Sequence, residues 1–315
     1  MHSREQIQQE LNELRRAYGD WTNDIPLPFD VWTRGNLQIP HTRLKRIFQV
    51  VKDLSQKPIS ECRILDLGCL DGMFSIEFAL HGANTIGVEI RDANIKKAMF
   101  CNEVLGLQNL EFRQDDVRNI SVESFGIFDA IVCSGVLYHL TAVDAINLIN
   151  TMYEMTNRLI VIDTHVALEP KEPFLHNSDE YWGSIFREHS DHATPEEKAK
   201  NLLASADNPT SFWFTRPSLI NILSKAGFAS VYECFVPAHL NYGKPGLEHK
   251  NRCTFVALKE DLCELKTSPA AKDLRENWPE RSLTYAPDKP RSMFKRMLSE
   301  LKKKKINKRV DRQGE

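Results

Sequence analysis

Five short apolar runs, Arg63–Leu67, Asn84–Glu89, Leu110–Gln114, Ala130–Ser134 and Leu159–Thr164, alternate with longer segments of helical periodicity. Strands separated by helices pair in parallel through crossover connections, with the helices covering the sheet on both faces. Two later runs, Val231–Val236 and Arg252–Leu258, follow a helical stretch ending at Gly227. The segment between them holds Pro237, Tyr242, Gly243 and Pro245, which predicts an irregular hairpin. The expected fold class is α/β: a doubly wound, seven-stranded, mostly parallel sheet whose last strand is antiparallel and lies at the edge.

Four segments frame this alternation. Residues 1–43 read as a polar N-terminal helix (3–18) and a cap, IPLPFDVWTRG, which carries Phe29, Trp32 and Arg34 and is unusually aromatic for a connector. Residues 44–262 form the α/β domain. Within it, 167–215 is an insertion, too long for an ordinary crossover and expected to cover a site as a lid. Residues 263–315 are a Pro- and charge-rich tail. With 42% hydrophobic residues and a net charge of −2, collagen-like and disordered classes are excluded. There is no apolar run long enough to span a bilayer. The polar start lacks the apolar core of a secretory signal, and seven scattered cysteines suit a reducing compartment, so a cytoplasmic protein is expected.

The sharpest motif is ILDLGCLDG followed by MFSIEFALHGA. A strand carrying Asp66 turns through Gly68, Cys69 and Gly72 into a helix, where small residues admit a nucleotide close to the backbone and the helix start offers oriented amides. Glu89, with Ile90 beside it, ends the next strand about twenty residues on, where a carboxylate can receive ribose hydroxyls. The third strand runs into Asp116-Val117, placed to meet an adenine amino group, and the fourth ends at Ser134 before GVLYHL. A Rossmann-type dinucleotide enzyme shares part of this pattern.

Taken in order, these motifs resemble the class I S-adenosylmethionine (SAM)-dependent methyltransferases over about Leu44–Lys259, with a Rossmann-like sheet. The resemblance implies SAM as cofactor, with Asp66 and Gly68 around its methionine part, Glu89 on the ribose, and Asp116 with Val117 at the adenine. It departs from the family at Leu70, where a glycine is usual. GVLYHLTAVDAINLI, NRCTFVALK and the upstream WTRG give a narrower resemblance, to transferases that act on the tRNA wobble uridine with carboxy-S-adenosyl-L-methionine. That likeness implies contacts to the extra carboxylate from Tyr138 and Arg252. The upstream lysine of that family has no counterpart, and Arg34 is the nearest cation; Trp32 and Arg34 of WTRG are thus candidate cofactor contacts.

Methyl transfer to a hydroxyl requires removal of a proton, and histidine titrates nearest to working pH. His139, beyond the fourth strand, and His165, beyond the fifth, are the candidate bases. In the insertion, EYWGSIFREHSDH and NPTSFWFTRP supply Tyr181, Trp182 and Trp213 as stacking surface and Arg187 as an anion contact, so with Arg252 they are the candidate acceptor residues. His176, His189 and His192 match no metal-ligand spacing, and no metal is expected; Glu188 and Asp191 read as a solvated helix end. A small-molecule or sugar hydroxyl, or an amine, is the expected acceptor. The other readings are the wobble-uridine transferase and a non-catalytic SAM- or nucleotide-binding module.

Arg291–Arg309 carries nine cations and one acid, so the remaining 296 residues sum to −10. Its Met293, Phe294, Met297 and Leu301 recur at helical spacing, the pattern of a basic amphipathic helix suited to RNA or an anionic membrane surface.

Overall fold

The computed structural model describes residues 2–35, 42–234 and 251–260. All belong to the first of the chain's two units, Met1–Glu280; the second, Arg281–Glu315, lies wholly outside them, and with it the basic tail segment. The chain opens with α1 (Arg4–Tyr18), set by a capping box in which Ser3 Oγ accepts from the Gln6 amide and the Gln6 side chain accepts from the Ser3 amide. Ile7 and Leu11, one turn apart, are its buried face. A two-residue hairpin, β1 (Pro26–Leu27) and β2 (Val31–Trp32), follows, then α2 (Thr42–Leu54).

The alternating frame comprises β3 (Arg63–Leu67), α3 (Met73–Leu80), β4 (Asn84–Glu89), α4 (Asp92–Leu105), β5 (Leu110–Gln114), α5 (Val122–Phe125), β6 (Phe128–Ser134), α6 (Ala142–Met155) and β7 (Thr156–His165). The insertion adds β8 (Glu172–His176), β9 (Asp179–Arg187), α7 (Pro195–Lys200) and β10 (Thr210–Phe214). After α8 (Arg216–Ala226), the frame closes with β11 (Ser230–Glu233) and β12 (Arg252–Leu258). The main sheet has the order β11-β12-β7-β6-β3-β4-β5. β12 is antiparallel to both neighbours, so the antiparallel strand lies one position in from the edge, with β11 outside it. The connection between these two strands falls outside the described residues.

The two-residue period of a strand sends alternate side chains to opposite faces. Leu65 and Leu67, Ile131 and Cys133, and Ile160 and Ile162 pack beneath α6 and α8. Ile64, Ala130, Val132, Leu159 and Val161 pack on the opposite face with Ile7, Leu11, Ile47 and Val51. The N-terminal helix and α2 therefore share one core with the sheet. In the insertion, β8, β9 and β10 form their own antiparallel sheet in the order β10-β9-β8, which the sequence reading did not anticipate. Gly183 in β9 is required there, because a Cβ would overlap the Trp213 carbonyl and the Phe212 ring. Among the described residues, no helix is long and apolar enough to cross a membrane.

Candidate active site

Parallel pairing brings the carboxyl ends of β3, β4, β6 and β7 to one edge, and the antiparallel β12 delivers its first residue, Arg252, opposite His165. This edge, where the strand order reverses between β3 and β6, is where open α/β sheets bind ligands. A cavity of about 380 Å³ opens there.

The turn after β3 is its floor. Gly68, Leu70 and Gly72 all have left-handed backbone, with φ of 66°, 51° and 90°. Leu70 therefore keeps the turn geometry that a glycine adopts more easily, and its amide donates to Glu89 Oε2 at 3.1 Å. At Gly68 a Cβ would overlap Val136 Cγ2. Asp66 is buried below the turn and accepts from Ser75 Oγ at 2.6 Å. Burial, with Glu89 nearby, pushes its carboxyl up to about 7 against the pull of Ser75. Glu89 also accepts from the Arg91 amide at 2.9 Å; burial raises its carboxyl although the two amides act in the opposite direction.

Two further buried charges, one in the turn and one in α4, hold the N-terminal segment, and the sequence reading missed both. Asp71 accepts from the amides of Thr22 and Asn23 at 2.7 and 2.8 Å and from the Asn23 side chain. Lys97 donates to the Asp20 carbonyl at 2.7 Å. The signal for Asp71 was the second acid of ILDLGCLDG; Lys97 sits mid-helix without one. Thr22 thereby reaches the cavity wall. Trp32 and Arg34, expected at the cofactor, do not line it. Trp32 Nε1 donates to Asp30, and Arg34 braces the cap through the Thr22 carbonyl and Asp24. Cys69 and Gly72 shape the turn without lining the cavity.

Glu89, Ile90, Asp116 and Val117 line one end of the cavity. Asp116 is paired with Arg118, whose Nε lies 2.9 Å from Oδ2. Burial acts to raise the Asp116 carboxyl, but Arg118 outweighs it and holds it below the usual range. Arg118 also reaches Asp207 of the insertion at 2.7 Å, and Arg91 donates to the carbonyls of Lys198, Ala204 and Ser205. The insertion is thus latched to this end of the cavity.

Ser134, Tyr138, His139 and Arg252 line the other end. The Ser134 hydroxyl is buried and makes no hydrogen bond among the described residues. The Arg252 guanidinium lies 4.9 Å from the Tyr138 ring centre, and its Nε donates to Asp163 at 2.6 Å. Asp163 also meets Arg46 and Thr254; burial opposes its ionisation, but Arg252 and Arg43 hold it below the usual carboxylate range. His139 Nδ1 lies 3.0 Å from both carboxylate oxygens of Glu188. Glu188 is therefore no solvated helix end. Its side chain is 1% exposed and also accepts from Ser211 Oγ at 2.7 Å and the Ser205 amide at 2.9 Å.

The remaining expected residues lie elsewhere. His165 does not line the cavity; its ring stacks on Trp213, which stacks in turn on Phe186, at 4.8 and 4.4 Å. Trp213 spends its indole N–H on the Tyr138 carbonyl. Tyr181 is buried in the core against Phe214, Trp182 bonds Glu180, and Arg187 makes an exposed pair with Asp191. Tyr181 and Trp213 hold the insertion to the domain, so they are committed to packing. Among the described residues, no three His, Cys, Asp or Glu side chains form a metal-holding group; His189 is buried against the Ser205 carbonyl.

A family model described as a methyltransferase domain matches residues 39–233. The chain belongs to this family, as a class I SAM-dependent methyltransferase. It is 28% identical over 123 residues to the mitochondrial ubiquinone biosynthesis O-methyltransferase of Bos taurus, a match covering 38% of this chain and 33% of that one. It is 24% identical over 155 residues to the ubiquinone biosynthesis O-methyltransferase of Rickettsia prowazekii, covering 49% and 58% respectively. The chain thus spans from a third to just over half the length of these relatives. Among solved structures, the N-terminal domain of EvdMO1 in the presence of SAH and D-fucose shares the fold, with a TM-score of 0.59 and 23% identity over 82% of this chain and 97% of that one.

Proposed function

We propose that this methyltransferase acts on a hydroxyl of a small molecule or sugar, with His139 as general base. The observation that carries the reading is the His139–Glu188 pair at the wall of the cavity that Glu89 and Asp116 also line. The residues present suit SAM: two carboxylates for ribose and adenine, a left-handed turn leading into a helix start, and the buried Ser134 hydroxyl as an unused polar group. When bound, SAM supplies an electrophilic methyl group whose bonding pair stays on sulfur as it leaves. The chain has the remaining tasks of binding, alignment, exclusion of water and acceptance of a proton. Asp66 and Gly68 would hold the methionine part, Glu89 the ribose and Asp116 with Val117 the adenine. As the acceptor O–H bond breaks, His139 takes the proton and the oxygen pair forms the new bond to carbon. The names of the relatives and of the sugar-containing neighbour support a hydroxyl acceptor of this kind.

The test is SAH release from SAM with 3,4-dihydroxybenzoate and D-fucose as probe acceptors. His139→Ala is expected to bind SAM within about twofold of wild type and to lose about 10²–10⁴ in turnover. Unchanged turnover would remove His139 from the mechanism.

The Tyr138–Arg252 contact favours a second reading, in which the donor carries an extra carboxylate, as in the wobble-uridine transferases. Arg34 does not line the cavity, whereas Arg43 does. Mass spectrometry of the ligand retained on purification separates the two donors. A retained nicotinamide dinucleotide would overturn both readings.

A further inference from the structure

We infer that Glu188, carried by the insertion, is the positioning residue that sets the tautomer of His139 and balances its charge during proton transfer. The inference rests on His139 being the base.

The argument begins with the carboxylate. Glu188 follows the last residue of β9, and its backbone amide donates to the Pro209 carbonyl, which tethers it to the start of β10. Two donors converge on its carboxylate, Ser211 Oγ and the Ser205 amide, and His139 Nδ1 lies within hydrogen-bond distance of both its oxygens. Burial acts to raise this carboxyl, but the hydrogen bonds with His139, Ser211 and the Ser205 amide outweigh it and hold it below the usual range. An ionised carboxylate only accepts hydrogen bonds. Nδ1, at 3.0 Å from both oxygens, must therefore carry the proton, and in the neutral ring the lone pair is left on Nε2. Among the described residues Nε2 has no hydrogen-bond partner, and the ring lines the cavity.

The ring is also fixed in orientation. Asn208 donates to the His139 carbonyl at 3.3 Å, and the Tyr138 ring centre lies 4.1 Å from that of His139. When Nε2 accepts the acceptor proton, the new positive charge faces a buried anion that is already in place, so little rearrangement is required. The proton is later released to solvent, which restores the Nδ1–H form. Glu188 neither touches the reacting atoms nor exchanges a proton. It acts through His139, and it makes the insertion part of the chemistry as well as a cover.

The experiment is nitrogen-15 NMR of the His139 imidazole in the full-length protein saturated with SAH, for wild type and Glu188→Gln. Wild type is expected to show the Nδ1–H tautomer, and the variant a mixture, because a glutamine can donate to Nδ1 as well as accept from it. With the two probe acceptors, Glu188→Gln is expected to lower kcat at least tenfold and to leave KM for SAM within about twofold. An Nε2–H tautomer in wild type overturns the inference without reference to any variant. So does a Glu188→Gln protein that keeps the Nδ1–H form and full turnover. If instead the tautomer behaves as expected and His139→Gln turns over normally, Glu188 still orients the ring and it is the base that has been misassigned. Should neither probe be methylated, the tautomer measurement decides alone.

Discussion

Asp66 and Asp163 are buried two strands apart at the same sheet edge, and their environments drive their acidities in opposite directions. Burial without a cationic partner lifts Asp66 to about 7, whereas Arg252 and Arg43 hold Asp163 low. For Asp66 the folded chain binds its proton more tightly than the unfolded chain, so this group's contribution to stability falls as pH rises from about 4 to about 7. Asp66→Asn should remove that slope. The stability difference between variant and wild type, read by urea unfolding, should shift in the variant's favour across this window. Asp163→Ala strips the shared anion from buried guanidinium groups and is expected to cost about 3–5 kcal/mol, visible as a large fall in Tm. At Gly68, an added methyl meets Val136 inside the turn, so Gly68→Ala should cost about 1–3 kcal/mol and abolish SAM binding in calorimetry. Asp66, Glu89 and Asp116 were legible because their place is set locally, at the ends of successive strands. Glu188 was not: its partner lies 49 residues earlier, and its burial is decided by how β9 and β10 fold against the loop after β6.

At the scale of elements, β3, β4, β5 and β12 were legible to the residue, whereas β6 and β7 begin two and three residues earlier than expected. The insertion strands were not legible, because burial along them does not alternate: on one face of β9, Tyr181 is buried and Ile185 is exposed. What ties the insertion to the end of the cavity lined by Glu89 and Asp116 is polar: Arg91 on three carbonyls and Arg118 on Asp207. Arg91→Ala is therefore expected to speed amide exchange across 198–205 and to weaken SAM binding roughly tenfold, about 1.4 kcal/mol. Hydrogen–deuterium exchange with and without SAH checks both effects, and unchanged protection of that segment would show that the latch lies elsewhere.

For the whole molecule, the near-neutral net charge conceals a body of about −10 and a basic segment of +8. The described cavity is lined entirely by residues between Thr22 and Arg252. A chain ended before Arg281 is accordingly expected to bind SAM within about twofold of the full chain. Any RNA affinity carried by the tail would be lost in that chain and would fall steeply with salt in the full one. The insertion leaves and rejoins the frame at one place: Ala167 and Thr215 form a bridge, and the Ala167 amide donates to the Phe214 carbonyl at 2.9 Å. With its ends stapled in this way, the excursion behaves as a cassette, and a doubling of its length would add only about 0.6 kcal/mol of closure entropy. If the insertion covers the acceptor as proposed, acceptor preference diverges by exchange of the cassette as one piece while the seven-stranded frame stays as it is. On the proposed reading, each replacement meets two conditions: the return of a carboxylate to His139 and of backbone carbonyls to Arg91.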